Sequence, residues 1–296
     1  MRKVKPAGWF PLLNGLFLIL FSFLCVYPFV YVLALSFNEG LDAQRGGIFF
    51  YPRVFSLENY VTIFKNPDLV NSYWITIYRV VVGTVVSLGL TAVTSFALSR
   101  DTLPFRRTFN WIIFIPMYFS GGLIPYYIVL NNLGLTNNLL VYVVPLLMSS
   151  FNIILMRTFM KSLPESLFES ARLDGASEFQ LFRRIAFPLS GPVLATIALF
   201  TAVMHWNDWY TGMVFVFEKT LWPASTLLLN ILRSSEIANY VNPKMFMGAG
   251  LARKHVVTPE SLKMAMLITT TAPVLVIYPF LQRYFVKGVM IGSLKG

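Results

Sequence analysis

At 296 residues, 56% hydrophobic and only 12% charged, the chain lies far from the roughly 25% charged composition of a soluble domain and reads as an integral membrane protein. Its net charge of +11 falls on basic residues scattered between apolar blocks, with no RNP-like, zinc-finger or basic-helix pattern; this excludes nucleic acid and leaves anionic lipid and protein as partners. The single cysteine, Cys25, excludes a disulfide framework and a cysteine metal site, and reads as a core filler.

The N-terminal MRKVKPAGWF opens like a signal peptide. The uncharged run that follows, 10–37, is too long for one and lacks a small-residue cleavage site, so a retained first span is expected. About 20 apolar residues cross a bilayer as a helix. Five further runs qualify: 73–98 with one internal charge at Arg79, 108–130, 139–156, 189–217 with one internal charge at Asp208, and 264–282. Continuous hydrophobicity without period-two alternation favours helices over barrel strands. The expected fold is therefore all-α and integral to the membrane, with six transmembrane helices in a single domain over 1–296 and outer loops at 38–72 and 218–263.

Six spans put both termini on one side. With the N-terminus inside, segments 1–9, 99–108, 157–188 and 283–296 carry Lys and Arg at roughly twice the density of the outer segments. Arg100, Arg106 and Arg107 in the short first inner loop carry most weight. Pro28, Pro116, Gly121-Gly122, Pro125, Pro145, Pro273 and Pro279 punctuate the spans. Such breaks persist in a bilayer where neighbouring helices or a wet cavity satisfy the freed backbone; ordinary kinking is the alternative. No internal repeat is visible, which counts against a transporter built of inverted halves.

Between the fourth and fifth spans stands a charged inner insert, ESARLDGASEFQLFRRIAFPLS from Glu169 to Ser190. Ser162-Leu-Pro-Glu165 reads as a capping box opening a helix that runs to about Asp174, which Gly175 ends in the left-handed conformation. Ser177-Glu-Phe-Gln180 is a second box, opening a short helix that Pro188 closes before the fifth span. Leu167, Phe168 and Ala171 would share one face of the first helix, and Leu181, Phe182 and Ile185 one face of the second. An apolar face outside the bilayer requires a partner. Either it lies on lipid with Arg172, Arg183 and Arg184 toward headgroups, or it docks on a cytoplasmic protein.

The fifth span holds His205-Trp-Asn-Asp-Trp-Tyr210, the most polar cluster inside any span. At 1.5 Å per residue from Leu189, Asp208 lies roughly 28 Å up, in the outer part of the bilayer. An ionisable residue at that depth turns to the bundle interior and marks a transport path. Trp206, Trp209 and Tyr210 are suited to stack on sugar faces, with Asn207 and Asp208 bonding hydroxyls; an interfacial aromatic belt is the alternative. Arg79, at similar depth, either snorkels or pairs with Asp208 or an acidic solute. His205 reads as a hydrogen-bonded packing residue, with no second ligand near it for a metal. In the last outer loop Lys219, Arg233, Lys244, Arg253, Lys254 and Lys263 outnumber Glu218, Glu236 and Glu260; the surplus either attracts an acidic oligosaccharide or the acidic rim of a binding protein, or is a solvated loop.

The order Glu169-Ser170-Ala171, three residues, Gly175, nine residues, Ile185-Ala-Phe-Pro188 resembles the EAA loop of ABC importer permeases, written EAA, three residues, G, nine residues, I-x-L-P, with departures at Ser170 and Phe187. The C-terminal YPFLQRYFVKGVMIGSLKG resembles the tail of MalG-type permeases, and within them the permeases of lipoprotein, aldouronate- or alginate-oligosaccharide systems. The resemblance implies a type I, MetI-like importer domain in a bacterial cytoplasmic membrane, passing an oligosaccharide, acidic or neutral, from an extracytoplasmic solute-binding protein. It implies a second homologous permease and two ATPase subunits as partners, with the tail near the interface of the ATPase pair. Segment 157–188 would be the coupling helix, through Glu169, Ser170, Ala171, Gly175, Ile185 and Pro188, with Glu169 as an ionic contact and Gly175 aiming the two helices. No G-x-x-x-x-G-K-[ST] occurs in the chain, so ATP and Mg are expected on the partner ATPase and neither cofactor nor enzymatic activity on this polypeptide. A stand-alone channel or ion-coupled carrier is the alternative, disfavoured by the docking segment and by the scarcity of buried acids. A membrane enzyme would need a constellation of nucleophile or His/Cys/carboxylate that the sequence lacks.

Overall fold

The computed structural model describes residues 8–233 and 257–293, with side-chain packing through residue 277. The expectations for MRKVKP and for Lys244, Arg253, Lys254 and Glu236 lie outside the described residues, as do the side chains of the C-terminal tail. Apart from one isolated antiparallel bridge, Asn38 to Phe55, the described elements are helical.

Helix α1 (Phe10–Ser36) runs unbroken through Pro28 and buries only Ala34, Leu35 and Ser36 at its far end. A helix apolar on every side has no solvent-facing stripe to present, which suits lipid. Cys25 is exposed on it and fills no core of this chain. Short helices α2 (Gly40–Gln44) and α3 (Glu58–Lys65) follow in the loop expected on the outer side. The Asn59 amide donates to the Ser36 and Asn38 carbonyls at 2.9 and 3.0 Å and closes that loop.

Helix α4 (Pro67–Ser99) is the second continuous span. In place of one third span stand α5 (Arg106–Tyr118) and α6 (Leu123–Asn132), parted by a non-helical 119–122 that ends at Gly122 with φ +83°. Pro116 in the last turn of α5 and the glycine pair account for the break. The fourth span is two 3₁₀ turns, Leu139–Tyr142 and Val144–Leu146, bent by 45° against α7 (Ser150–Lys161).

The charged insert holds α8 (Glu165–Leu173) and α9 (Glu178–Leu181), which passes through a π turn, Phe182–Ala186, into α10 (Phe187–Leu189). Then come α11 (Gly191–Asn207), α12 (Tyr210–Phe215), a 3₁₀ turn at Lys219–Leu221, α13 (Ala224–Arg233) and α14 (Pro259–Ser293). Among the described residues three helices, α1, α4 and the Pro259–Ile277 stretch of α14, are long and apolar enough to cross a membrane, and up to five spans result if each bent pair counts as one. The sixth expected span is the broken third.

The chain divides into two compact units, Met1–Val70 with Leu228–Ala272 and Asn71–Leu227 with Pro273–Gly296. In the first, Ala34, Leu35 and Ile48 form a small apolar cluster against Met264. Beside it Ser261 donates to Asn59 Oδ1 at 2.8 Å. In the second, Phe96 of α4, Met156 of α7 and Ile197 of α11 meet Phe168 of α8 and Leu181 of α9 in one buried cluster. Gly83 lets α11 approach α4, because a Cβ there would strike the His205 ring.

Candidate functional site

Two places in the second unit interrupt long helices with polar residues: the hairpin expected on the inner side and the end of α11 expected on the outer side. At the hairpin, Ser162 does not cap α8. Its backbone continues the last turn of α7 and its hydroxyl donates to the Phe159 carbonyl at 2.7 Å. Pro164, extended at ψ 123° and without side-chain capping, occupies the position before α8. Helix α8 then runs to Leu173, and Gly175 takes φ +82° as expected. The Gly175 N–H donates to the Arg172 carbonyl and the Ala176 N–H to the Ala171 carbonyl, both at 2.9 Å, the two bonds of a Schellman cap.

The second capping box is present, with Ser177 accepting from the Gln180 N–H and the Gln180 side chain accepting from the Ser177 N–H. Pro188 does not close the helix that follows. It lies just past the π turn, inside the continuous Glu178–Leu189 helix, which ends one residue later. The break comes at Ser190, where the axis turns by 77° into α11.

Phe168 and Leu181 are buried in the cluster with α4, α7 and α11, and Ala171, Phe182 and Ile185 pack against it. The hairpin's apolar face is thus covered by the chain's own spans. Leu167, expected on that face, is 42% exposed. Glu169, Ser170, Asp174, Gly175 and Pro188 are exposed, with Leu173 at 89% and Phe179 at 68% exposure. Arg172 lies 3.1 Å from Glu165 and 3.3 Å from Glu178, and its hydrogen bond to Glu165 holds the guanidinium above the usual arginine range.

At the outer end, the expected continuous fifth span stops at Asn207. Asp208 is extended, with ψ 102°, and its Oδ1 accepts the Thr211 N–H at 3.0 Å to start α12. Arg79 pairs with the Asp208 carboxylate and donates to the Asp208 carbonyl at 2.7 Å. Its guanidinium lies 4.6 Å from the centre of the Tyr142 ring. Ser225 donates to the same Asp208 carbonyl at 3.0 Å and Thr226 to the Trp209 carbonyl at 2.9 Å. The Asp208 and Trp209 carbonyls at the break thus each have side-chain donors, the kind of compensation a broken helix needs in a bilayer. Arg79 is wholly buried, so it pairs and does not snorkel.

His205 is also wholly buried, but neither ring nitrogen reaches a hydrogen-bond partner among the described residues. It packs by shape into the gap at Gly83, not by the hydrogen bonds expected of it. Trp206 is half-buried in a small apolar groove with Val80, Val203 and Val274. Asn207, Trp209 and Tyr210 are exposed. Tyr210 stands edge-on to Trp209 at 5.9 Å and to Phe215 at 6.2 Å. Phe215 also meets Tyr126 and Tyr127 at 5.6 and 6.0 Å. This adds to the aromatic surface two tyrosines that span-by-span reading passed over, although Tyr126-Tyr127 directly follows the flagged Pro125.

The sequence profile of a family described as "Binding-protein-dependent transport system inner membrane component" matches residues 8–291. The chain is 35% identical to Protein LplC of Bacillus subtilis strain 168, across 100% of this chain and 98% of that one. It is also 35% identical to the polygalacturonan/rhamnogalacturonan transport system permease protein YtcP of the same strain, across 95% and 96%. A solved structure of a bacterial ABC transporter involved in the import of the acidic polysaccharide alginate superposes with a TM-score of 0.86 at 29% identity, covering 96% of this chain and 100% of that one.

Proposed function

Because the chain belongs to the family of binding-protein-dependent transport system inner membrane components, we propose that it is one permease subunit of an ATP-driven importer of oligosaccharides. It is a multi-pass membrane protein and a transport component, with ATP hydrolysis on a separate subunit. The complex would hold this chain, a second homologous permease, two ATPases carrying ATP and Mg, and an extracytoplasmic binding protein. Both termini and the hairpin face the cytoplasm in this reading.

One observation carries it: the 157–188 hairpin is packed on its own spans by one face and offers Glu169, Leu173 and Gly175 on the other. A surface-lying lipid helix would bury its apolar face in the headgroup boundary; here Phe168, Ala171, Leu181, Phe182 and Ile185 of that face are taken up by the chain's own spans. The exposed side is left for a protein cleft, with Glu169 as its ionic contact and Gly175 fixing the angle between α8 and the helix after it. Ser170, Ala171, Ile185 and Pro188 complete the coupling segment.

Polysaccharide systems recur among the relatives' names, which supports a sugar polymer fragment as solute. On this subunit the solute would meet Asn207, Trp209 and Tyr210, whose rings suit the apolar faces of sugars. Arg79 and Asp208 hold the break for one another, and Trp206 backs it, so none of the three needs to touch solute. This chain would then read sugar rings more than sugar carboxylates. Purification from mild detergent tests the reading: a co-purifying ATPase whose hydrolysis rises with loaded binding protein is expected, and transport by this polypeptide alone overturns it. Uptake of neutral against uronic-acid oligosaccharides identifies the solute class.

A further inference from the structure

Arg100 directly follows α4 and is only 9% exposed. Its guanidinium carbon lies 4.6 Å from the centre of the Phe96 ring and 3.7 Å from that of Phe168. The planar group is therefore wedged between a ring of the second span and a ring of α8, a stacking that suits arginine and not lysine. Its nitrogens reach Glu165 at 3.4 Å and Glu178 at 3.9 Å. Arg172 reaches the same two carboxylates. The four side chains close an alternating ring of charge that takes in both hairpin helices and the inner end of α4. Burial works against the charge on Arg100, and Glu165 and Glu178 support it.

Helices of nine and four residues do not hold their shape alone. The apolar cluster beneath them supplies attraction without direction, whereas an arginine held against two rings, hydrogen-bonded to Glu165 at 3.4 Å and ion-paired with Glu178 at 3.9 Å, restricts how the hairpin can sit on α4. The hairpin is joined through the chain only to α7 and α11. Arg100 gives it a hold on a third span, and that span carries Arg79 about 30 Å farther along, at 1.5 Å per residue. Arg79 in turn holds Asp208 at the outer break.

We propose that Arg100 is a positioning residue that rivets the coupling hairpin to the second span, so that α4 carries the stroke of the ATPase as a rigid rod to Arg79 and the outer break. This rests on the importer reading. It identifies the second span, not only the two spans continuous with the hairpin, as the carrier of the stroke.

The test uses the complete transporter reconstituted in bilayer discs, with Cys25→Ala as background. Spin labels on Val93→Cys of α4 and Ser166→Cys of α8, both exposed, report the distance between hairpin and second span in the nucleotide-free and ATP-bound states. An unchanged distance is expected, with a broadened one in Arg100→Gln. That variant should still co-purify with the ATPase and hydrolyse ATP, while solute taken up per ATP falls on the order of tenfold. Arg100→Lys should lie between, since an ammonium keeps the charge but loses the fork and the stack.

A wild-type distance that changes between the two states overturns the proposal, even where Arg100→Gln does not assemble. So does an assembled Arg100→Gln with normal uptake per ATP, or one whose hydrolysis and uptake fall in parallel at an unbroadened distance. A wild-type complex with no ATP-dependent uptake overturns the importer reading itself, and the rod with it.

Discussion

The inner hairpin and the outer break are both held by an arginine of or next to α4 facing carboxylates, but in opposite surroundings. Arg79 is wholly buried with Asp208 as its charged partner, while Glu165, Arg172 and Glu178 of the inner ring are substantially exposed and share their partners. In the first case the alternative to the pair is a lone charge inside a bilayer; in the second it is water. The same residue types therefore build a sealed joint at one end and, at the other, one that keeps Arg100 buried while its carboxylates and Arg172 stay open to water and salt.

Removing one partner at the outer joint is the strongest way to break that contrast. Asp208→Ala should cost on the order of 3–5 kcal/mol by stranding Arg79, seen as a sharp loss of thermal stability in detergent. Arg79→Met with Asp208→Leu should be less harmful than Asp208→Ala alone, because no charge is then stranded. Equal damage from both would mean that the pair acts by shape only.

Gly175→Val comes next. A β-branched side chain at φ +82° should cost about 1–3 kcal/mol of local strain. Membrane insertion should survive while hydrolysis proceeds without matching uptake, and normal coupled uptake would count against the turn's role. Ser177→Ala removes one half of the capping box and should cost about 1 kcal/mol, measured as a small fall in melting temperature with coupling retained. Glu165→Gln opens the exposed ring at one corner. Its effect should be under about 1 kcal/mol and should fade as salt is raised; a salt-independent loss would place that carboxylate in the same class as Asp208.

Much of this fold was legible because lipid leaves the chain little choice: long apolar runs become helices, and Gly175 and the Ser177 box write their turn locally. What escaped was set at a distance. Nothing in Trp206-Asn-Asp-Trp209 breaks a helix by itself; the extended Asp208 owes its conformation to Arg79, 129 residues away in sequence. Ser162 closes α7 instead of opening α8 because a serine serves either end of a helix, and Pro164 takes the position before α8. The face of α8 was misjudged at Leu167, since nine residues give a 3.6-residue period little room to declare itself. Arg100 looked like one more positive-inside residue; its stacking between Phe96 and Phe168 exists only once α4 and α8 are side by side.

The π turn at Phe182–Ala186 leaves a mark on how this segment tolerates insertions and deletions. Such a turn amounts to one surplus residue wound into an otherwise ordinary helix. Trimming a single amino acid there would let the coil tighten into a regular α turn while the helix on either side keeps its facing, whereas one further residue would find that slack already used and would turn everything after it, the corner at Ser190 and α11 included, by about 100° around the axis. Between Phe182 and Ala186 a one-codon insertion should therefore be more damaging than a one-codon deletion.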